Sequence, residues 1–460
     1  MSAKQESLSG KVATPPKTQI VQQPYPPAGY SWYVVAVLTL IYVFSFIDRQ
    51  IFSLLVGPLR RDLHISDTQV SLLMGFTFAL FYTFFGIPLG RLADTKSRRG
   101  IIAAGFVAWS LFTAACGLAR SFAQMLPLRM GVGVGEASLS PSAYSMITDY
   151  FPENRRATAI SVYSMGIYIG SGMAFLLGGL VVKFAVAREI WIFPLIGQIR
   201  PWQVIFLIVG LPGLLFALLL FTVREPIRRG LGSVTAKMPF GDVMAYLFKN
   251  KSTFLCHNVG FGLLSMASYA AAGWIPEMYR RVFHWDIPTT GLWYGTIVAI
   301  FGSAGIVSAG RIADWLRGRD VLNANMRVGV YIALLSIPFT IGLCLAPSGQ
   351  AGLFWLIPTS VLAAAPFGIA PAAIQQMMPN PMRGQASAVY LFILNLIGLG
   401  IGPSAVAMTT QYIFQRDNAV NLSLMYVSLA GYTLAAILLF AGSKPFLNSL
   451  DRLKEWHATN

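Results

Sequence analysis

Asp48, Arg49, Arg129 and Glu136 are the residues best placed to do chemistry, because each falls inside a long apolar run. A charge at the centre of a membrane helix costs roughly 2.5 kcal/mol or more on insertion scales, so such groups face protein or water and find partners. Asp48 and Arg49 are adjacent in FIDRQ at 46–50. Arg129 and Glu136 stand seven residues apart in RMGVGVGE. Seven residues place both on one helix face, with Glu136 about 10 Å deeper. Desolvation favours the neutral form of a carboxyl, and a nearby arginine favours the charged form. A site that opens alternately to two sides swings that balance, which is how a carboxylate carries a proton. Asp48 and Glu136 are therefore the expected proton-coupling groups. Arg49 and Arg129 are the expected partners of an anionic substrate or members of a charge relay. The competing structural reading is a static ion-pair network that holds the first and fourth apolar runs together. The second half of the chain offers only neutral polar groups at such depths, among them Gln375 and Gln376. Asn258 and Asn395 are its candidates for substrate contact or charge relay.

The elements that carry these residues are read from composition and hydropathy. Hydrophobic residues make up 55% of the 460 and charged residues 11%. A soluble globular surface needs about 25% charged residues. A bilayer core needs roughly 20 mainly apolar residues per helix. Such runs occur at about 31–56, 67–90, 101–118, 122–149, 157–185, 202–223, 252–276, 290–310, 326–346, 351–378, 385–413 and 420–442. In hydrocarbon every backbone polar group is satisfied internally, so the runs are expected as helices. The predicted fold class is an all-α membrane protein of twelve transmembrane helices, numbered here as spans one to twelve. The expected divisions are a proline-rich disordered tail at 1–29, a six-helix bundle at 30–223, a linker at 224–251, a second six-helix bundle at 252–443 and a tail at 444–460.

An even number of spans puts both termini on one side. Counting Lys and Arg with the termini inside gives 23 on the inner segments and nine on the outer ones. This asymmetry predicts cytoplasmic termini. It also accounts for the net charge of +16 without nucleic acid.

The chain repeats itself. GRLAD at 90–94 returns as GRIAD at 310–314, and FPENRRATAISVY at 151–163 returns as MPNPMRGQASAVY at 378–390. The first pair follows the second span of each half and the second pair follows the fourth. Two matches in register imply a duplicated six-helix unit. Two halves related by an axis along the membrane normal suit alternating access, with one half rocking against the other around a central site.

The repeated loops also predict inner gates. Asp94, in the GRLADTKSRR loop, is expected to pair with an arginine at a neighbouring helix end when the cytoplasmic side closes. The candidate gate comprises Gly90, Arg91, Asp94, Arg98, Arg99 and Arg156 in the first half. Gly310, Arg311, Asp314 and Arg383 are its counterparts in the second. Gly131, Gly133 and Gly135 do not make a dinucleotide fingerprint, since no strand precedes them. They and Gly166, Gly170 and Gly172 are expected at close helix contacts.

Other classes find little support. Cys116, Cys256 and Cys344 lie in apolar stretches without metal-ligand or disulfide spacing, and the four histidines are scattered. No cofactor or metal is expected, and no GxxxxGK[ST] motif is present for ATP. A membrane-embedded lipid-modifying enzyme would need a nucleophile or metal cluster at membrane depth. A sensor that kept a carrier fold would usually add long soluble segments. The expected partners are the bilayer, protons and a small-molecule or lipid-like substrate, and the chain is expected to act as a monomer.

GRLADTKSRR resembles the signature loop of the major facilitator superfamily. FIDRQ, RMGVGVGEAS at 129–138 and ITDYFPENRRATAISVYSMGIYIGSG at 147–172 are similar to the spinster branch. That resemblance implies a bacterial inner-membrane carrier whose cavity is lined by Asp48, Arg49, Arg129 and Glu136, all engaged in coupling. Its eukaryotic members move sphingosine phosphate and lysophospholipids. The anion–cation symporter branch, which takes sugar acids and organic acids, shares much of the pattern. Thr95 stands where the signature loop usually has arginine, and span five lacks the proline of the antiporter motif. The expectation is a proton-linked secondary carrier for a small organic anion or an anionic amphiphile. Uptake of sugar acids or other organic acids is the alternative.

Overall fold

A computed structural model describes residues 24–459, apart from 186, 189, 195–196, 229–238 and 380–381. Among the described residues, eleven helices are long and apolar enough to cross a membrane. The twelfth crossing, span four, is divided into Phe122–Glu136 and Leu139–Tyr150, each too short to cross alone. Ala137 and Ser138 separate them, and the Ser138 hydroxyl donates back to the Gly135 carbonyl at 2.8 Å. Span ten breaks at the matching place. The separation that relates Pro152 to Pro379 carries Ala137–Ser138 onto Ala364–Ala365. There Gly349–Ala364 gives way to Pro366–Met377 because Pro366 has no N–H to continue the ladder. The repeat read from two loops thus extends to a shared irregularity in the helix that crosses each half.

The remaining spans agree with the apolar runs to within a few residues at most ends. Ala28–Leu54 is span one and Asp67–Ala93 span two. Span three is Arg98–Cys116, span five Glu153–Ala185 and span six Pro201–Thr222. Span seven runs Lys251–Val282, span eight Ile287–Arg317 and span nine Ala324–Cys344. Span eleven begins as Arg383–Asn395 and continues to Phe414. Span twelve, Val420–Thr459, runs on as one helix through the segment expected as a tail. Ser449 on that extension bonds Thr253 and Asn250, and Arg452 donates to the Lys249 carbonyl at 2.8 Å. The linker contains a helix, Phe240–Lys249. The loop after span five forms a short hairpin, Trp191–Phe193 paired antiparallel with Gly197–Ile199.

The two halves meet through close helix contacts. Span five lies against span eight, where a Cβ on Gly291 would come within 2.5 Å of the Phe175 carbonyl and one on Gly295 within 2.8 Å of the Gly172 carbonyl. Span two lies against span eleven, where a Cβ on Gly75 would come within 2.5 Å of the Leu399 carbonyl. Both elements at this second contact carry π-helical turns, Leu72–Phe76 and Leu396–Ile401. Such turns often mark functional sites. Gly131, Gly133 and Gly135 press on Phe112, the Phe78 carbonyl and Trp109, while Gly166 and Gly170 press on span one. Glycine at these positions lets backbones approach, as expected of them.

Candidate functional site

The four intramembrane charges form two cross-pairs between spans one and four. Glu136 lies opposite Arg49, whose Nε and Nη2 both reach Glu136 Oε2 at 2.6 Å. Ser45 donates to the same oxygen at 2.5 Å. Asp48 lies opposite Arg129, with Nη1 to Oδ1 at 3.7 Å. Thr113 of span three donates to Asp48 Oδ2, and Arg129 Nε donates to the Leu73 carbonyl at 3.2 Å. Adjacent Asp48 and Arg49 point in directions about 100° apart around span one and so take different partners, which stand about two turns apart on span four.

Both guanidinium groups rest on aromatic faces. The Arg49 cation lies 4.6 Å from the Phe78 ring centroid, 4.8 Å from Tyr82 and 5.0 Å from Phe46. Arg129 lies 5.0 Å from Phe52. Cation–π attraction strengthens on desolvation, so these rings help hold charge at membrane depth.

Accessibility singles out Arg49. The Arg129 and Glu136 side chains are fully buried and Asp48 nearly so, whereas 13% of the Arg49 side chain is open. Several polar atoms lack hydrogen-bond partners: Glu136 Oε1, Asp48 Oδ1, and Arg129 Nη1 and Nη2. Buried polar atoms are nearly always satisfied, so each such atom calls for an explanation.

The second half places its amides differently. Asn258 Oδ1 is engaged by the His257 ring at 2.9 Å, and the other ring nitrogen meets the Ala370 carbonyl at 3.0 Å. Asn395 is half-buried and ends the regular part of span eleven, next to the π-helical turn. Asn325 donates to Gln376 at 2.8 Å. His257 had no motif to announce it, because its partners are a neighbouring side chain and a carbonyl 113 residues away.

The far side, opposite the chain termini, is tied across the halves. Asp67 at the start of span two receives Arg281 of span seven through Nη1 at 2.6 Å and Nη2 at 2.8 Å. Glu277 accepts from Arg281 Nε and Arg280 Nη2, each at 2.5 Å. Arg60 reaches Asp67 at 3.1 Å and Asp417 at 2.6 Å, and Thr68 donates to Gln411 at 2.8 Å. Arg60, Arg280 and Arg281 are three of the nine basic residues on the outer segments, and nothing in the hydropathy pattern marks Asp67 or Glu277. The Ser66 capping box with Gln69 fixes the helix start that aims Asp67, and could have drawn attention to it.

On the terminal side the second half presents an open cleft of its own. A Cβ on Gly310 would meet nothing within 4 Å. Asp314, Arg317, Gln376 and Arg383 line a cleft of about 470 Å³ there. Arg91 and Arg311 are exposed, and Arg383 Nε donates to the Met378 carbonyl at 3.2 Å. The side chains of Asp94 and Arg156 lie outside the described residues.

Arg98 and Arg99 are bound within the first half. Arg98 pairs with Asp149 at the end of span four and with Glu225 after span six, at 2.8 Å for the latter. Its Nη2 donates to the Pro226 carbonyl at 2.8 Å, and Arg99 reaches the Val223 carbonyl at 3.2 Å. Thr95 donates to its own helix at Leu92. This knot fastens the ends of spans three, four and six to one another.

Burial pushes the Glu225 carboxyl up. The Arg98 guanidinium, the Arg99 N–H and Ser97 outweigh burial and hold it below its ordinary value of 4.5. A depressed carboxyl stabilises the fold above its unfolded value, and that stabilisation is lost as pH falls through the native value. The thermal midpoint of the purified protein should therefore fall below about pH 4.5, with that component missing in Glu225→Gln. Superimposable pH profiles of the two proteins would contradict the assignment.

Two related six-span halves, tied together by ion pairs on one side and holding buried charge pairs at membrane depth, have the architecture of an alternating-access membrane transporter. The chain belongs to the major facilitator superfamily, whose profile matches residues 38–403. It is similar to a solved bacterial homologue of the human lysosomal transporter spinster, described as inward-facing and unoccupied. That likeness has 28% identity, covers 92% of this chain and 99% of the other, and has a TM-score of 0.79. An MFS-type efflux pump of Mycolicibacterium smegmatis is 26% identical over 82% of this chain and 84% of its own length. The hexuronate transporter of Bacillus subtilis is 25% identical over 88% and 94%. The fold and these relatives are those of multi-pass transporters, not of enzymes.

Proposed function

We propose that this protein is a proton-linked carrier of small organic anions, with both termini in the cytoplasm and the far side outside. The Lys and Arg asymmetry supports that orientation. The observation that carries the reading is the convergence of Arg49 and Ser45 on one oxygen of Glu136, while Glu136 Oε1 has no partner. A proton taken up at Oε1 removes the charge that holds Arg49. The released guanidinium, the part-open cation of the four, then meets the carboxylate of an entering substrate. Loss of the proton to the cytoplasm returns Glu136 to Arg49 and expels the anion. One proton accompanies one anionic group, and neither crosses alone. Arg129 and Asp48 are buried as Glu136 is, and their part is to couple the proton site to span three through Thr113.

The inner gate residues join this account as proposals. Closure of the cytoplasmic side brings Gly90, Arg91 and Asp94 toward Gly310, Arg311 and Asp314, with Arg156 and Arg383 on the facing loops. The Arg98 knot moves as a unit with the first half.

The hexuronate transporter among the relatives favours carboxylate uptake, and the likeness to spinster favours an amphiphilic anion as the second reading. A thermal-shift panel on purified protein tests both, using D-glucuronate, benzoate and lysophosphatidate. A carboxylate should raise the midpoint of the wild type and leave Arg49→Ala unmoved. Stabilisation by lysophosphatidate alone would favour the second reading. Equal shifts in wild type and Arg49→Ala would remove Arg49 from anion recognition.

A further inference from the structure

Around Arg49 the first half presents aromatic rings. Tyr82 and Phe78 stack with centroids 5.5 Å apart, and Arg49 lies over both. Behind them Tyr42 stacks on Tyr163 at 4.7 Å and 5°. The second half answers with Tyr269 of span seven, which packs against the core clusters of both halves. Tyr82 and Tyr269 both pack against the first-half cluster that contains Phe46 and Phe78, the rings under Arg49. Phe367 of span ten meets the Tyr269 ring edge-on at 5.9 Å and 87°. Tyr82, Tyr269 and Phe367 are each only half-buried.

Four second-half amides suited to sugar hydroxyls are engaged elsewhere. Asn258 is taken by His257, Asn325 and Gln376 bond each other, and Gln375 bonds Ser387 at an exposed position. A site that recognises a polyol needs several convergent polar groups, and leaving them unpaired is costly. A wall of rings around one cation suits a carboxylate on a flat π-system, which stacks offset or edge-on.

We infer that the carried anion is a flat aromatic or conjugated carboxylate, its carboxylate on Arg49 and its body between Tyr82 and the Tyr269–Phe367 pair. This rests on the reading of Arg49 as the anion contact. Tyr269 is the residue that sets specificity.

The test compares binding of benzoate, cyclohexanecarboxylate and D-glucuronate to the purified full chain by calorimetry. Benzoate and cyclohexanecarboxylate share charge and size and differ in the ring. Wild type should prefer benzoate by about fivefold over cyclohexanecarboxylate, the scale of an aromatic pair, and by more over glucuronate. Tyr269→Leu should lose the preference between the first two, and Tyr269→Phe should keep it. A preference for glucuronate, or an unchanged preference in Tyr269→Leu, overturns the inference while leaving anion carriage intact if Arg49→Ala still abolishes binding. If no carboxylate binds wild type, the anion reading and this inference both fall.

Discussion

Glu136→Gln is expected to abolish concentrative uptake while leaving exchange of substrate across the membrane. In the wild type a proton at Glu136 accompanies each monoanion, so the pair moves without net charge. A pH gradient of one unit supplies about 1.4 kcal/mol per proton and therefore about tenfold accumulation. Glutamine keeps the shape of the protonated acid and cannot release a proton. Arg49 then stays permanently free of its carboxylate, and anion can enter and leave by exchange alone. The accumulation ratio should fall to about one, since no proton gradient is left to couple to. Counterflow of labelled substrate in proteoliposomes should persist. Loss of both activities would mean that Glu136 holds the fold and does not carry the proton. Retention of both would place the proton elsewhere, with Asp48→Asn the next variant to examine.

Asp67→Asn is expected to open the far side. Two charge-assisted bonds from Arg281 end on Asp67 in a nearly dry setting, and they cross between the halves. Asparagine keeps one acceptor and loses the charge, while Glu277 still accompanies Arg281. A loss of about 2 kcal/mol is the scale for hydrogen bonds to charged groups, which moves the equilibrium about thirtyfold toward an open far side. Spin labels at Arg61 and Tyr412, both exposed and on opposite halves, read this as a longer distance population. An unchanged distribution would show that the close contact of spans five and eight suffices to keep the far side shut.

Much of this molecule is legible in its sequence, for a physical reason. Hydrocarbon leaves no freedom in how a backbone crosses it, so apolar length alone locates the spans, and two loop repeats reveal the duplication. Charges at membrane depth stand out against that background, which is why Asp48, Arg49, Arg129 and Glu136 are found at once. Their pairing was not legible. Adjacent residues take different partners because of helix rotation, which a single sequence does not display. Asp67 and Arg281 are 214 residues apart and lie at span ends where charges are ordinary. Arg98 was read as a gate residue, yet its partners Asp149 and Glu225 come from two other helix ends of its own half. The break in span four has a local cause in Gly135 and Ser138, but either residue also occurs in unbroken helices. The hairpin at 191–199 has strands too short to leave an alternating pattern.

The central claim is that a proton on Glu136 releases Arg49 to the anion. The most direct measurement is internal pH in proteoliposomes held without a pH gradient or membrane potential, after an inward gradient of the tightest-binding carboxylate is imposed. Anion entry should acidify the interior by one proton per monoanion, and Glu136→Gln should show no acidification. Anion entry without a pH change in the wild type, or equal acidification in Glu136→Gln, would contradict the account.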